Sequence, residues 1–183
     1  MSLPTIQTPR LRLGPYRADD KPALLRHADD PEVARWLRDR FPSPYTAADA
    51  DRFLALCAAD GPGEALFAIR LEDEAIGGIG LHRHGDVHRH TAELGYWLGR
   101  AHWGKGYASE AVAAILPHAF DTLALVRVEA TCFEGNEASR RVLERNGFTC
   151  EGRTRMSVYK AGRFHDQWIY ARIREPGPGA ALQ

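Results

Sequence analysis

The stretch AELGYWLGRAHWGKGYASEAV, residues 92–112, decides how this chain folds. Ala92–Leu98 reads as a strand, and Gly106–Phe120 reads as a helix with Ala108, Val112, Ile115 and Ala119 on one face. Pro117 inside that pattern bends or shortens the helix. Between strand and helix stands Trp103-Gly104-Lys105-Gly106-Tyr107-Ala108. A helix N-terminus offers unpaired N–H groups and a partial positive charge, so this turn is suited to a phosphate. Gly104, Gly106 and the small Ala108 let an anion come close to the backbone, and Lys105 adds a mobile cation. The string is neither GxxxxGK[ST] nor GxGxxG, which argues against a nucleoside-triphosphate or dinucleotide fold. A ligand-free Gly-rich turn is the plain alternative.

A second unit of the same design follows in VRVEATCFEGNEASRRVLERNGFTCEG, residues 126–152. Val126–Cys132 is a strand, and Asn136–Asn146 a helix that Asn136 caps and Gly147 closes. Ser139 sits one turn into that helix, so Asn136 and Ser139 both face whatever crosses its mouth.

Working outward, Arg10–Leu13 alternates as a strand, and Asp19 or Asp20 caps a helix through His27. A short helix over Glu32–Arg38 and one capped by Thr46 follow, the latter stopped at Gly61-Pro62-Gly63. Ala65–Leu71 and Ala75–Leu81 form a hairpin around Glu72-Asp73-Glu74. Phe148–Tyr159 and Phe164–Arg174 form another around Lys160–Arg163. The sum is an α/β (α+β) domain with a single mixed, mostly antiparallel central sheet flanked by helices. One domain is expected over residues 1–183, with a core of about 8–174 and flexible ends at 1–5 and 175–183.

Composition narrows the partners. Lys plus Arg number 24 and Asp plus Glu 24, giving zero formal charge, which argues against nucleic acid or an anionic membrane as partner. No apolar run reaches the ~18 residues of a membrane span, and Met1–Thr8 does not read as a signal peptide. Cys57, Cys132 and Cys150 form no CxxC pair or disulfide framework. A soluble, cytoplasmic protein is expected, either monomer or homodimer.

The two quoted stretches, with TPRLRLGPYRADD (8–20) and GRFHDQWIYARI (162–173), resemble the GNAT superfamily of acyl-CoA-dependent N-acyltransferases. Within it the chain is most similar to the ribosomal-protein alanine/serine N-acetyltransferase group, the RimJ/RimL type. The likeness spans nearly all of residues 8–174. It implies the GNAT fold, acetyl-CoA as co-substrate, no metal, and an amine acceptor that is a peptide N-terminus or a small molecule. The superfamily's usual pattern is Gln/Arg-x-x-Gly-x-Gly/Ala; Gly106 and Ala108 fit its end, while Trp103 stands where Gln or Arg is usual.

The resemblance further implies that the CoA pyrophosphate sits on the amides of Trp103, Gly104, Lys105, Gly106, Tyr107 and Ala108. Lys105, Arg100, Arg140 and Arg145 are candidate cations for it. The pantetheine arm then runs between Ala92–Leu98 and Val126–Cys132. Backbone N–H groups of Tyr96, Trp97 and Leu98, freed by a distortion near Gly95, supply the oxyanion donors. Asn136 holds the arm or the acceptor, and Ser139 serves the departing sulfur, with Tyr96, Tyr107 and Tyr159 as alternatives. Glu93 is the implied base for the amine, against a plain salt bridge to Arg100 or Arg127. The acceptor is an amine attacked directly in a ternary complex; an acyl-CoA-binding module without turnover is the reading from another class.

Trp36, Phe41 and Tyr45, in a Pro-broken segment between helices, are candidate acceptor residues, and Asp166 is a further one, with a structural role in its hairpin as the alternative. His82, His84, His88 and His90 (HRHGDVHRH) read as exposed histidines of a hairpin rather than as metal ligands. Cys132 has no activating neighbour in sequence, so it reads as a structural thiol.

Overall fold

The computed structural model describes residues 3–59 and 64–175. The expected stop at Gly61-Pro62-Gly63, and residues 1–2 and 176–183 of the two expected flexible ends, lie outside the described residues. The strands are β1 (Ile6–Gln7), β2 (Leu11–Gly14), β3 (Glu64–Leu71), β4 (Glu74–Arg83), β5 (Thr91–Leu98), β6 (Arg127–Phe133), β7 (Thr149–Lys160) and β8 (Arg163–Ile173). The helices are α1 (Lys21–Ala28), α2 (Pro31–Ala34), α3 (Ala47–Ala58), α4 (Tyr107–Pro117) and α5 (Glu137–Arg145). All eight strands join one sheet in the order β1-β2-β3-β4-β5-β6-β8-β7, and every pairing is antiparallel except β5 with β6. The expected mixed sheet is therefore present, with β1 as a short addition at its edge.

Local chemistry explains most boundaries. Thr46 caps α3 reciprocally with Asp49: the Thr46 hydroxyl accepts from the Asp49 amide at 3.3 Å, and the Asp49 carboxylate accepts from the Thr46 amide at 2.7 Å. Asp20 precedes α1, but its side chain makes no cap. It is buried, and its two oxygens accept from Arg70 at 2.6 and 2.7 Å, so a buried ion pair outcompetes the cap. The expected Glu32–Arg38 helix ends early, at Ala34, and the chain unwinds through Trp36. At Pro117 α4 gives way to a wider turn over His118–Thr122, closed by a bond from the Leu123 amide to the His118 carbonyl at 3.0 Å.

Two apolar clusters sandwich the sheet. Leu94, Tyr96 and Leu98 of β5 pack with Val112 and Ile115 of α4, whereas Trp97, pointing the other way, packs with Leu24 of α1 and Ala50 of α3. A buried Leu, Ile or Phe contributes about 1.5–3 kcal/mol, and the larger cluster alone holds many of them, so the fold needs no crosslink. None of the three cysteines is in a disulfide. Among the described residues no helix is long and apolar enough to cross a membrane.

Candidate active site

The parallel pairing of β5 with β6 lasts only from Thr91 opposite Arg127 to Glu93 opposite Glu129. Beyond that point each strand keeps its outer neighbour alone. β5 stays in register with β4 through Leu98, and β6 stays with β8 through Phe133. A cavity of about 850 Å³ fills the gap, lined by residues 94–98 of β5 and 130–133 of β6. The backbone of Tyr96–Leu98 is thus released by the parting of two strands. The distortion expected near Gly95 is not the cause, because the β4–β5 register runs unbroken from Gly77–Leu98 to Arg83–Ala92.

On the α4 side the cavity reaches Trp103, Gly104, Gly106, Tyr107 and Ala108. Gly106 caps α4 in the left-handed region (φ +82°) and has no side chain to offer, so the first amides of the helix stay uncapped. A Cβ placed on Gly104 would meet nothing within 4 Å, leaving open room beside those amides. Trp103 folds back and donates its indole N–H to the Leu98 carbonyl at 2.8 Å, tying the loop to the end of β5. The aromatic residue at that position therefore builds the loop.

The local cations differ from expectation. Lys105 is exposed and does not line the cavity, and its carbonyl accepts from Arg10 at 2.9 Å. Arg10, which the sequence did not single out, stacks 4.7 Å from the Tyr107 ring centroid and pairs with Glu110 at 2.7 Å. Arg140 turns away, donating to Tyr170 at 3.1 Å and to Glu137 at 3.0 Å. Arg100 does not line the cavity either; Arg141 and Arg145 do.

At the α5 mouth, the Asn136 carbonyl oxygen accepts from the Ser139 amide at 3.1 Å, a plain N-cap. The Ser139 hydroxyl lies 2.8 Å from the Tyr96 hydroxyl, and both residues line the cavity. Burial raises the Tyr96 phenol above its ordinary value, against the Ser139 hydrogen bond, so it stays a neutral donor. Tyr107 lies under Arg10, and Tyr159 is 62 % exposed against Phe164, so Tyr96 is the tyrosine placed beside Ser139. Cys132 also lines the cavity, and burial pushes its thiol up to about 11.

The opposite face holds Glu93, Trp97, Trp36, Phe41 and Tyr45, all lining the same cavity. Phe41 packs on Trp97 and Tyr45, with ring centroids 5.3 and 5.4 Å apart. Burial, then Asp49, pushes the Tyr45 phenol up to about 12. Glu93 accepts from Thr131 at 3.3 Å and pairs with Arg38 of the α2–α3 loop. Its cation is thus not Arg127, which holds Glu129 and Glu151 at 3.1 and 2.5 Å.

Asp166 is not part of this assembly. It accepts from the Met156 amide at 2.8 Å and from Arg153 at 2.6 Å, which first and second lower its pKa and fix an irregular stretch of β7. It does not line the cavity. The histidines also separate: His84 pairs with Glu129 at 3.1 Å, His90 binds the Ala124 carbonyl at 3.1 Å, and His82 alone of the four lines the cavity. Among the described residues no group of three or more His, Cys, Asp or Glu is placed to hold a metal.

Comparison with known proteins fits this geometry. A family model described as an acetyltransferase (GNAT) domain matches residues 10–149. An uncharacterized N-acetyltransferase, p20, of Bacillus licheniformis is 32% identical over 180 residues, covering 96% of this chain and 99% of its own. The ribosomal-protein-serine acetyltransferase of Escherichia coli (strain K12) is 37% identical over 108 residues, 59% of this chain and 60% of that one. The solved structure of RimL, a ribosomal L7/L12 alpha-N-protein acetyltransferase in complex with coenzyme A, aligns with a TM-score of 0.83. It covers 93% of this chain and 98% of that one at 23% identity, a likeness of fold.

Proposed function

The chain belongs to the GNAT acetyltransferase family, RimJ/RimL-like in kind, and we propose that it acetylates a protein N-terminal α-amine by direct attack on acetyl-CoA. One observation carries the reading: the gap between β5 and β6 joins a bare helix N-terminus on one side of the sheet to Glu93 and an aromatic pocket on the other. A thioester cofactor and an amine can meet in such a gap without leaving the sheet.

Acetyl-CoA supplies an activated acyl carbon and a leaving group whose thiol pKa lies near ~8.5. The residues present suit it. The uncapped amides of α4 and the space beside Gly104 suit a pyrophosphate, with Arg141, Arg145 and Arg10 as nearby cations. The freed edges of β5 and β6 suit the amide groups of the pantetheine arm, received as an added strand is. The unpaired amides near Tyr96–Leu98 suit the oxygen on which charge develops. Ser139, oriented by Tyr96, donates a hydrogen bond to the departing sulfur. Asn136 contributes by fixing the turn that presents Ser139.

On the acceptor side, Glu93 takes a proton from the amine, directly or through a water. Trp36, Phe41, Tyr45 and Trp97 enclose the acceptor. The raised pKa of Cys132 keeps its thiol protonated at neutral pH, which supports direct transfer over an acyl-cysteine. The choice of a peptide acceptor rests on the ribosomal-protein-serine acetyltransferase relative, and the same comparison suggests a cytoplasmic setting.

Thiol release from acetyl-CoA, followed over a panel of N-terminal peptides, amino acids, polyamines and aminoglycosides, tests the reading. Release with peptides alone is expected. Release with small amines alone moves the acceptor class, and thermal stabilisation by acetyl-CoA without turnover leaves only a binding module. Glu93→Gln should slow transfer chiefly below about pH 8, where an α-amine is mostly protonated. An unchanged pH–rate profile removes Glu93 from the role of base.

A further inference from the structure

We infer that His82 is a second catalytic residue, which shares with Glu93 the protons released by the acceptor amine. The inference rests on the acetyltransferase reading and adds a residue to it.

His82, one residue before the end of β4, stands directly opposite Glu93 of β5 in the antiparallel register. Side chains so paired stand on one face of a sheet with Cβ atoms about 4.5–5.5 Å apart. Two residues before His82 on β4 and two after Glu93 on β5, Gly80 faces Gly95. A Cβ built on either glycine would come 3.8 Å from the His82 Nε2. The imidazole therefore leans over this glycine pair, which the Leu66 side chain covers from β3, on the face that carries Glu93 and Trp97. His82, Gly80, Gly95, Glu93 and Trp97 all line the cavity.

The ring nitrogen nearest the glycines is unprotonated, and it takes a proton only by giving up its hydrogen bond from Arg40. Arg40 lies 3.2 Å from Nε2. A guanidinium only donates, so Nε2 carries the lone pair in this arrangement. Several charged groups surround the pair. Glu93 faces His82 from β5, and Arg38 and Arg40 face the pair from the α2–α3 loop. Asp39 of that loop is turned to Lys160 at the end of β7, at 2.7 Å. Glu129 of β6 is held by Arg127 and His84, each at 3.1 Å.

The reaction gives two bases something to do. An acceptor ammonium must lose one proton before its lone pair can form the N–C bond. A second N–H proton leaves once that bond exists, while the C–S bond breaks and its electron pair goes to sulfur. One proton returns to the thiolate, so ammonium and thioester become amide, thiol and one released proton. Glu93 alone can hold one proton; the cross-strand pair can hold the first while the second is handed on.

The test is the pH dependence of kcat/KM for the amine, measured on His82→Gln and His82→Ala. Glutamine keeps a polar partner for Arg40 but does not titrate, so it guards against a merely structural loss. Without the imidazole the enzyme depends more on amine already neutral in solution, which for a pKa near ~8 is about a tenth at pH 7. A loss of about tenfold at pH 7, shrinking to about twofold or less by pH 9.5, is expected, with acetyl-CoA affinity unchanged. The double variant Glu93→Gln/His82→Gln should lose no more than about threefold beyond the worse single variant, because the two act as a unit. A loss that is the same at every pH, no loss at all, or a double-variant loss equal to the product of the single losses overturns the inference. If the unaltered protein transfers acetyl to no amine, the acetyltransferase reading falls first and takes this inference with it.

Discussion

The mouths of α4 and α5 have the same plan, a strand leading through a glycine-bearing turn into a helix that opens on one cavity, yet they are finished in opposite ways. At α4 the cap position is Gly106, left-handed and without a side chain, and the turn is braced from outside by Trp103 on the Leu98 carbonyl. At α5 the cap is Asn136, whose own oxygen takes the Ser139 amide. The first helix therefore has no side-chain cap on its amides, and the second spends one amide on its own cap and presents the Ser139 hydroxyl to the cavity. A bare mouth suits an anion, while a self-capped one suits positioning a side chain.

Substitutions at the two mouths should separate these roles, and the largest effect belongs to α4. Gly106→Val places a β-branched residue at φ +82°, where the proposed Cβ would also lie 3.3 Å from Arg10. An L-residue in that region costs about 1–2 kcal/mol, more when β-branched, and the loop can relieve it only by moving the amides. Acetyl-CoA affinity, by calorimetry, should fall at least about thirtyfold, since 1.4 kcal/mol is a factor of ten. Retained affinity would mean that the α4 amides are not the cradle. Ser139→Ala at the other mouth should leave acetyl-CoA affinity within about threefold and lower kcat by about tenfold. The thiolate is a fair leaving group by itself, which keeps the second effect small. If binding collapses instead, α5 is a binding mouth after all and the contrast fails.

The same contrast shows what the sequence could and could not carry. The sheet, its order of strands and helices, and the α4 loop were legible because they are local: period-two alternation, a Gly-Lys-Gly turn, an Asn cap. Tyr96, Ser139 and Glu93 lay in recognisable stretches, and the structure places all three on one cavity. What escaped reading was long-range pairing of charges. Arg38 meets Glu93 across 55 positions and Arg10 reaches Glu110 across 100, and no local pattern encodes such partners. His82 was hidden for a different reason. Its place among four histidines suggested a solvated hairpin, yet it continues the inward face of β4 with Gly78 and Gly80, a period-two signal that the neighbouring histidines masked. Asp166 shows the other side of this: of the acceptor role and the hairpin role open to it in sequence, its contacts with the Met156 amide and Arg153 are those of the hairpin.

The finest test of the bare mouth concerns how it is held open from the N-terminal side. Glu110, in the first turn of α4, accepts from Thr8 at 2.6 Å, from the Arg10 amide at 2.9 Å and from the Arg10 guanidinium at 2.7 Å. Burial works to raise its pKa, but these bonds outweigh it, and the net shift is downward. A carboxylate depressed in the folded state adds stability that is present above its unfolded pKa, near ~4.3, and is lost as pH falls through the lower folded value. Glu110→Gln should thus lower Tm by a few degrees at neutral pH, about 1 kcal/mol for a domain of this size. The gap to the unaltered protein should narrow as pH drops below about 4. The Asn136→Ala loss at α5, of similar size, is a neutral cap and should not narrow in this way. Parallel melting curves over that range would show that the α4 mouth is braced by packing rather than by its charged strap, and Arg10 would then owe its place over Tyr107 to stacking alone.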